Sequence, residues 1–366
     1  MGPARRAFRL VRPALAVLGA LIAVALAPHA AWADTTPTPE PTSTPDATVA
    51  IVAVGDLMCH SQIFGAALWH GVYDFRPAFA PVVADIRAAD LALGNLETTL
   101  KSGGPYSGYP QFRSPRAYAD ALKWAGFDVL TTANNHALDG GATGVRYTAR
   151  ILASRGFAHT GTNREGPAIV ERKGVRIAVL AYTYATNGIH SPFSGAVNRI
   201  GLARMRTAIA AAHKKADLVV LCLHWGNEYS AAPEAKTVSL GKALVDAGAD
   251  LILGSHPHVV RPVRKYRGRY IVYSMGNFIS GQEGRRTDLG ILVRVTVTRV
   301  NDVTKVASLK VVPTFRDRSP GAGRSSYRVV RISRALAHPD KRTSKADRAR
   351  MRTYRAYCRR MFGKLL

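Results

Sequence analysis

Cysteine is scarce in this chain: Cys59, Cys222 and Cys358 are the only three among 366 residues. An odd count at unrelated spacings excludes a disulfide framework and leaves the fold to be held by its core. A single Cys59–Cys222 bridge stays open, since both end apparent strands that meet one rim; buried free thiols are the other reading. Acidic residues are scarce too, 24 Asp and Glu against 51 Lys and Arg, which gives a formal net charge of +27. The excess sits at the ends, on Arg5, Arg6, Arg9 and Arg12 and again beyond Phe315. Basic ends attract an anionic partner such as membrane lipid, wall polymer or an acidic capsule. A nucleic-acid-binding motif is missing, which argues against nucleic acid as that partner. Beyond the N-terminal segment no apolar run is long enough to span a bilayer.

That N-terminal segment has the three parts of a secretory signal. Basic residues through Arg12 precede an apolar run from Ala14 to Ala27, and Ala31-Trp32-Ala33 closes it. The pattern predicts a signal peptide over residues 1–33 with cleavage after Ala33, and hence a secreted or cell-surface protein. Left uncleaved, the same segment would anchor the chain in a membrane with its arginines inside. Residues 34–48 alternate Thr and Pro with little apolar content and read as an extended, polyproline-like linker.

From Val49 strands and helices alternate. Val49-Ala50-Ile51-Val52-Ala53-Val54 is short, apolar and rich in β-branched residues, as a strand buried on both faces requires. Phe75, Phe79, Val82, Val83 and Ile86 recur at helical spacing. A strand over 91–93 precedes a helix over 115–124, ended by Gly126. Further strands are expected over 127–130, 176–181, 217–223 and 251–253, with helices over 202–213 and 234–246. Segments 270–273, 290–298 and 306–312 follow with turns between them and read as antiparallel additions. This succession predicts one α/β domain over 49–315, with a mixed sheet or two sheets packed between helices. Residues 316–366 form a basic tail low in strand signal. A helix over 347–362 is expected there, either docked through Met351, Tyr354 and Met361 or presenting a patch to anionic polymer or lipid.

Polar residues able to hold metals stand at the strand ends. Asp56 follows the first strand, Glu97 the second, Asn135 and His136 the third, His224 the fourth, and His256 and His258 the fifth. Ligands of open α/β sheets bind beyond the carboxyl ends of strands, so these side chains aim at one rim. Carboxylates neutralise divalent cations, imidazoles suit transition metals, and an Asn carbonyl adds an oxygen ligand without charge. Singly, most have an ordinary explanation: Asp56 in a turn, Glu97 as a cap, Asn134-Asn135 in a tight turn, His224 in the core. His256-Pro257-His258 has none, because two imidazoles straight after a strand end are poor packing residues. Together the set predicts a site for two divalent ions (Mn, Zn, Fe or Mg) that activate water.

Six motifs occur in order: Gly55-Asp56; Gly94-Asn95-Leu96-Glu97; Ala133-Asn134-Asn135-His136 with Asp139; His224-Trp225-Gly226 with Glu228-Tyr229; Gly254-Ser255-His256-Pro257-His258; and Ser274-Met275-Gly276-Asn277-Phe278. The series resembles the CapA family of capsule and poly-γ-glutamate synthesis proteins, itself similar to calcineurin-like metallophosphoesterases. The resemblance implies a four-layer α/β-β/α sandwich of metallophosphoesterase type, here with a basic C-terminal extension. It also implies Asp56 and His258 on a first metal, Glu97 as the bridging acid, and Asn135, His224 and His256 on a second. His136 would be the general acid or transition-state stabiliser, oriented by Asp139. Two departures are visible. Metallophosphoesterases carry Asp-x-His where this chain has Asp56-Leu57-Met58, with His60 the nearest substitute, and their bridging Asp is Glu97 here.

Substrate contacts are fewer. Arg113 lies on a loop between motifs and reads as a clamp for a carboxylate or phosphate, or as surface charge. Asn277 is expected to hydrogen-bond a ligand loop, and Glu228 and Tyr229 to do the same or touch substrate. The implied activity is metal-dependent hydrolysis of a phosphorylated, acylated or polyamide substrate. It would serve synthesis or export of an anionic cell-surface polymer, in a membrane polymer-synthesis complex. The alternative is a non-catalytic polymer- or wall-binding accessory protein that keeps the fold.

Overall fold

Apolar strands with both faces buried need a covering layer on each side, and this chain supplies it with two sheets and two sets of helices. The computed structural model describes residues 45–321 and 324–366. The expected signal segment and residues 34–44 of the linker lie outside them, while Ala47 and Thr48 already belong to the first strand, Ala47–Leu57.

One sheet has eight strands. Its order is Arg324–Arg331, Val303–Gly321, Leu289–Val300, Ala47–Leu57, Leu91–Leu96, Val129–Thr131 and Ala158–Thr160, with Asn277–Ile279 pairing Ala47–Leu57 off that path. The other has six strands, ordered Val263–Tyr266, Arg269–Val272, Leu251–Ser255, Leu218–His224, Val175–Thr183 and Ala168–Arg172. Alternate residues face opposite sides of a strand. Ile51, Ala53, Leu93 and Val129 therefore meet Ile177, Val179, Val220 and Leu253 in a core between the sheets. Val52, Val54 and Leu130 point the other way, onto Phe79, Val82 and Leu122. Behind the second sheet, Leu180, Leu221 and Ile252 pack against Met205, Ile209 and Leu244 of the helices Leu202–His213 and Ala235–Asp246. The result is the α/β-β/α sandwich expected.

Local differences have local causes. The helical pattern over 75–86 is broken into Arg76–Phe79, a 3-10 turn Ala80–Val82 and Val83–Arg87. Pro81 has no N–H and its ring crowds the preceding turn, so a continuous helix cannot pass through it. Helix Ala117–Ala125 ends at Gly126, whose φ of 106° is the left-handed value that glycine adopts freely. The segment 270–273, expected as an antiparallel addition, is the strand Arg269–Val272, which runs parallel to Leu251–Ser255 and antiparallel only to Val263–Tyr266. Leu289–Val300 and Val303–Gly321 are antiparallel as expected.

The tail is not low in strand. Val303–Gly321 runs through position 315 without a break, and Arg324–Arg331 pairs with it as the edge of the sheet. Helix Lys345–Phe362 then buries Met351, Tyr354, Cys358 and Phe362 in the core between the sheets, while Met361 is half-buried beside it. The Tyr354 hydroxyl donates to Asp288 Oδ1 at 2.7 Å, and Arg350 pairs with the same carboxylate at 2.7 Å. Cys59, Cys222 and Cys358 are free thiols, each pushed up to about 12 by burial.

Candidate metal centre

The carboxyl ends of parallel strands from both sheets open onto one rim. Asp56 pairs in register with Asn95 on one side and Asn277 on the other. In the second sheet Thr183 pairs with His224, and His224 with Ser255. Gly55 makes this convergence possible: a Cβ there would lie 1.9 Å from the Gly276 carbonyl oxygen, which instead accepts the Asp56 N–H at 3.0 Å. His256 and His258 flank Pro257 with φ of 94° and 58°. Such left-handed values are strained for L residues and persist where surroundings hold them. One of those holds is the His256 N–H, which donates to Asp56 Oδ2 at 3.3 Å.

All seven residues read as ligands or general acid are buried, and the structure brings them together. Asp56 Oδ2 is 3.4 Å from His258 Nδ1, and Asp56, Glu97 and His258 offer three ligand atoms within 4.8 Å of one another. Around Glu97, His224 Nε2 lies 3.7 Å from Oε1 and 2.7 Å from Asn135 Oδ1, and the His224 and His256 rings are 4.7 Å apart. Ligands about 2.1 Å from a shared ion come this close to one another. His258 Nδ1 also meets Asn277 Oδ1 at 3.0 Å, and the Asn277 amide donates to Ser280, Gln282 and the Thr287 carbonyl.

Charge decides whether a cation fits. Glu97 is pushed well above the usual carboxylate range by burial and by Asp56 beside it. Burial and neighbouring imidazoles hold His224 well below its ordinary value, and His256 down at about 3. Among the described residues no Lys or Arg pairs with Asp56 or Glu97; their ion-pair partners are His258 and His224. Glu97 Oε1 and His256 Nδ1 are buried without a hydrogen-bond partner among the described residues. Buried carboxylates facing neutral imidazoles, with orphaned ligand atoms aimed among them, fit divalent cations of the Zn, Mn or Fe kind.

His136 sits at the side of this cluster. Its Nδ1 is 2.7 Å from Asp139 Oδ2, its backbone N–H donates to Asn134 Oδ1, and its ring stands edge-on to Phe112. Nδ1 is thereby held by a carboxylate, which fixes the orientation of the ring. Arg113 is turned to the backbone: Nε donates to the Asp139 carbonyl at 3.1 Å and a terminal nitrogen reaches Gln111.

Three placements go beyond the sequence reading. Glu228, read as a substrate or supporting residue, joins His256 and His258 within 4.8 Å as a second group able to hold an ion. His60 is buried, but its Nδ1 accepts the Gly281 N–H at 3.1 Å and it belongs to neither ligand group. Asn95, present in a motif but given no role, donates to Asp56 Oδ1 at 2.8 Å and lies 3.4 Å from Glu97 Oε2 and from His224 Nδ1. The signal for it was its position two residues before Glu97 in a buried strand, where a polar amide needs a reason.

Comparison by sequence points to one family. The profile of the bacterial capsule synthesis protein family PGA_cap matches residues 50–282. The chain is 30% identical over 277 residues to the PGA biosynthesis protein CapA of Bacillus subtilis, covering 72% of this chain and 71% of that protein. It is 36% identical over 228 residues to the capsule biosynthesis protein CapA of Bacillus anthracis, covering 59% of this chain and 54% of the relative. Among solved structures, a putative 5'-nucleotidase from Staphylococcus aureus superposes with a TM-score of 0.48 at 15% identity, over 85% of this chain and 59% of that one. With its six motifs falling inside the matched span, this chain belongs to the bacterial capsule synthesis family PGA_cap.

Proposed function

We propose that this protein is a metal-dependent hydrolase acting in the synthesis or export of an anionic cell-surface polymer of the poly-γ-glutamate kind. The observation that carries the reading is the buried pair Asp56 and Glu97, whose ion-pair partners among the described residues are the imidazoles of His258 and His224 rather than a Lys or Arg. Asp56, Glu97 and His258 would hold one ion, with Glu97 shared, and Asn135, His224 and His256 a second. Ions there supply Lewis acidity and neutralise an anionic transition state. His136 holds its Nδ1 proton on Asp139 and presents Nε2 to the leaving group. Arg113, Glu228 and Asn277 would contact substrate: Arg113 lies against Asp139, and Glu228 and Asn277 against His258. A secreted or surface location suits such a polymer; among the described residues no helix is long and apolar enough to cross a membrane.

The test is turnover of γ-glutamyl amides and phosphomonoesters by the purified chain, before and after chelation. Activity lost with chelator, restored by Mn or Zn and absent in His136→Ala supports the reading; turnover indifferent to chelator sinks it. A second reading, an accessory protein that binds polymer without cleaving it, is favoured by Met58, a thioether where a ligand imidazole stands in metallophosphoesterases. It predicts metal uptake without turnover on either substrate class.

A further inference from the structure

Away from the metal centre, a groove of about 580 Å³ runs between residues 80–84 and residues 328–343. Its volume falls in the range of ligand clefts, roughly 300–1,000 Å³. Arg328, Arg331, Arg334 and Arg342 line it, with Asp340 the one acid among its lining residues. The nearby acids are already taken by arginines: Asp85 by Arg294 and Arg331, Asp340 by Arg328 and Arg342, and Asp317 by Arg328. Positive charge is therefore left over on this wall. The opposite wall is aliphatic, with Ala80, Pro81 and Ala84.

We propose that this groove binds an extended polycarboxylate chain, its carboxylates on the arginines and its methylenes on the aliphatic wall. The inference rests on the polymer reading above and adds where the polymer is held. Arginine suits carboxylates because its planar fork meets both oxygens at once. Three such forks, those of Arg331, Arg334 and Arg342, are spread along one groove, while Arg328 is buried with its terminal nitrogens held by Asp317 at 2.6 Å and Asp340 at 2.7 Å. Single-stranded nucleic acid, the other common polyanion, needs aromatic platforms for its bases, and no Phe, Tyr or Trp lines the groove. None of the lining residues belongs to the metal centre, so binding here and hydrolysis there are separable. The groove also differs from the exposed arginines Arg352, Arg355 and Arg359 of the last helix.

The experiment is fluorescence anisotropy of labelled poly-γ-glutamate with the full chain, at low and high salt. Arg334 is exposed, so Arg334→Glu leaves the core intact. It is expected to weaken binding about tenfold, against little change for Arg334→Lys. The double variant Arg352→Glu, Arg355→Glu is expected to bind as wild type. Equal affinity of Arg334→Glu and wild type overturns the groove, as does failure of the wild type to bind, or loss confined to the last-helix variant. The hydrolase reading fails separately, through turnover that survives in His136→Ala.

Discussion

Asp139 Oδ2 lies 2.7 Å from His136 Nδ1 and accepts the Phe112 N–H at 2.6 Å with the same oxygen. Two contacts on one atom fix the carboxylate, and the carboxylate fixes the ring. Asp139 belongs to neither ligand group, so Asp139→Asn should leave metal content unchanged. It should lower kcat about 100-fold, the scale of losing an orienting partner. Steady-state kinetics with elemental analysis on the same preparation checks both halves; an unchanged kcat removes Asp139 from the proposed mechanism.

Asn95 holds the cluster together from beneath. Its amide donates to Asp56 Oδ1 at 2.8 Å and reaches toward Glu97 and His224. Asn95→Leu keeps a similar volume and removes the donor. Metal affinity should fall about 10- to 100-fold, as when outer hydrogen bonds to ligands are lost. A competition titration with a chelating dye reads this directly.

Gly55 is held by close approach. A Cβ would have to occupy space 1.9 Å from the Gly276 carbonyl oxygen, which is backbone and cannot swing aside. Gly55→Ala should destabilise the fold by about 3 kcal/mol, at the upper end for overpacking. It should also separate Asp56 from Asn277. Denaturant unfolding at the level of wild type would show that the two segments part without cost.

Arg261 is fully buried, and Glu234 is its charge partner at 2.8 Å. Burial pushes the Glu234 carboxyl up, but hydrogen bonds from Arg261 outweigh it and hold the group at about 2, against an ordinary 4.5. A carboxylate whose value is depressed on folding contributes stability fully present above 4.5 and lost as pH falls toward 2. Glu234→Gln should flatten that acid slope and cost about 3 kcal/mol at neutral pH, because it strands a buried guanidinium. Urea titrations of both proteins across that pH window are the check.

Much of the fold was legible because its signals are local. The run from Val49 to Val54 is apolar on both faces, and the helices Leu202–His213 and Ala235–Asp246 keep their periodicity. The candidate ligand residues could be picked out for the same reason: each follows an apolar run at its carboxyl end. The edge strands were hidden by charge. Arg316, Asp317 and Arg328 are buried on strands, stabilised by partners brought from elsewhere in the chain, such as the Gln282 carbonyl and Asp340. Hydropathy reads such residues as solvent-exposed tail. Pro81 hid in a helical pattern that hydrophobic spacing alone could not break. Glu228 looked peripheral because its closeness to His256 and His258 depends on the fold of two separate loops.

The central claim is that Glu97, buried beside Asp56, is shared between two divalent ions. Metal counting by mass spectrometry on the full chain, wild type beside Glu97→Gln, tests it most directly. The account predicts two ions per wild-type chain and no more than one in the variant, with the fold retained. No bound metal in the wild type, or the same count in both proteins, would contradict it.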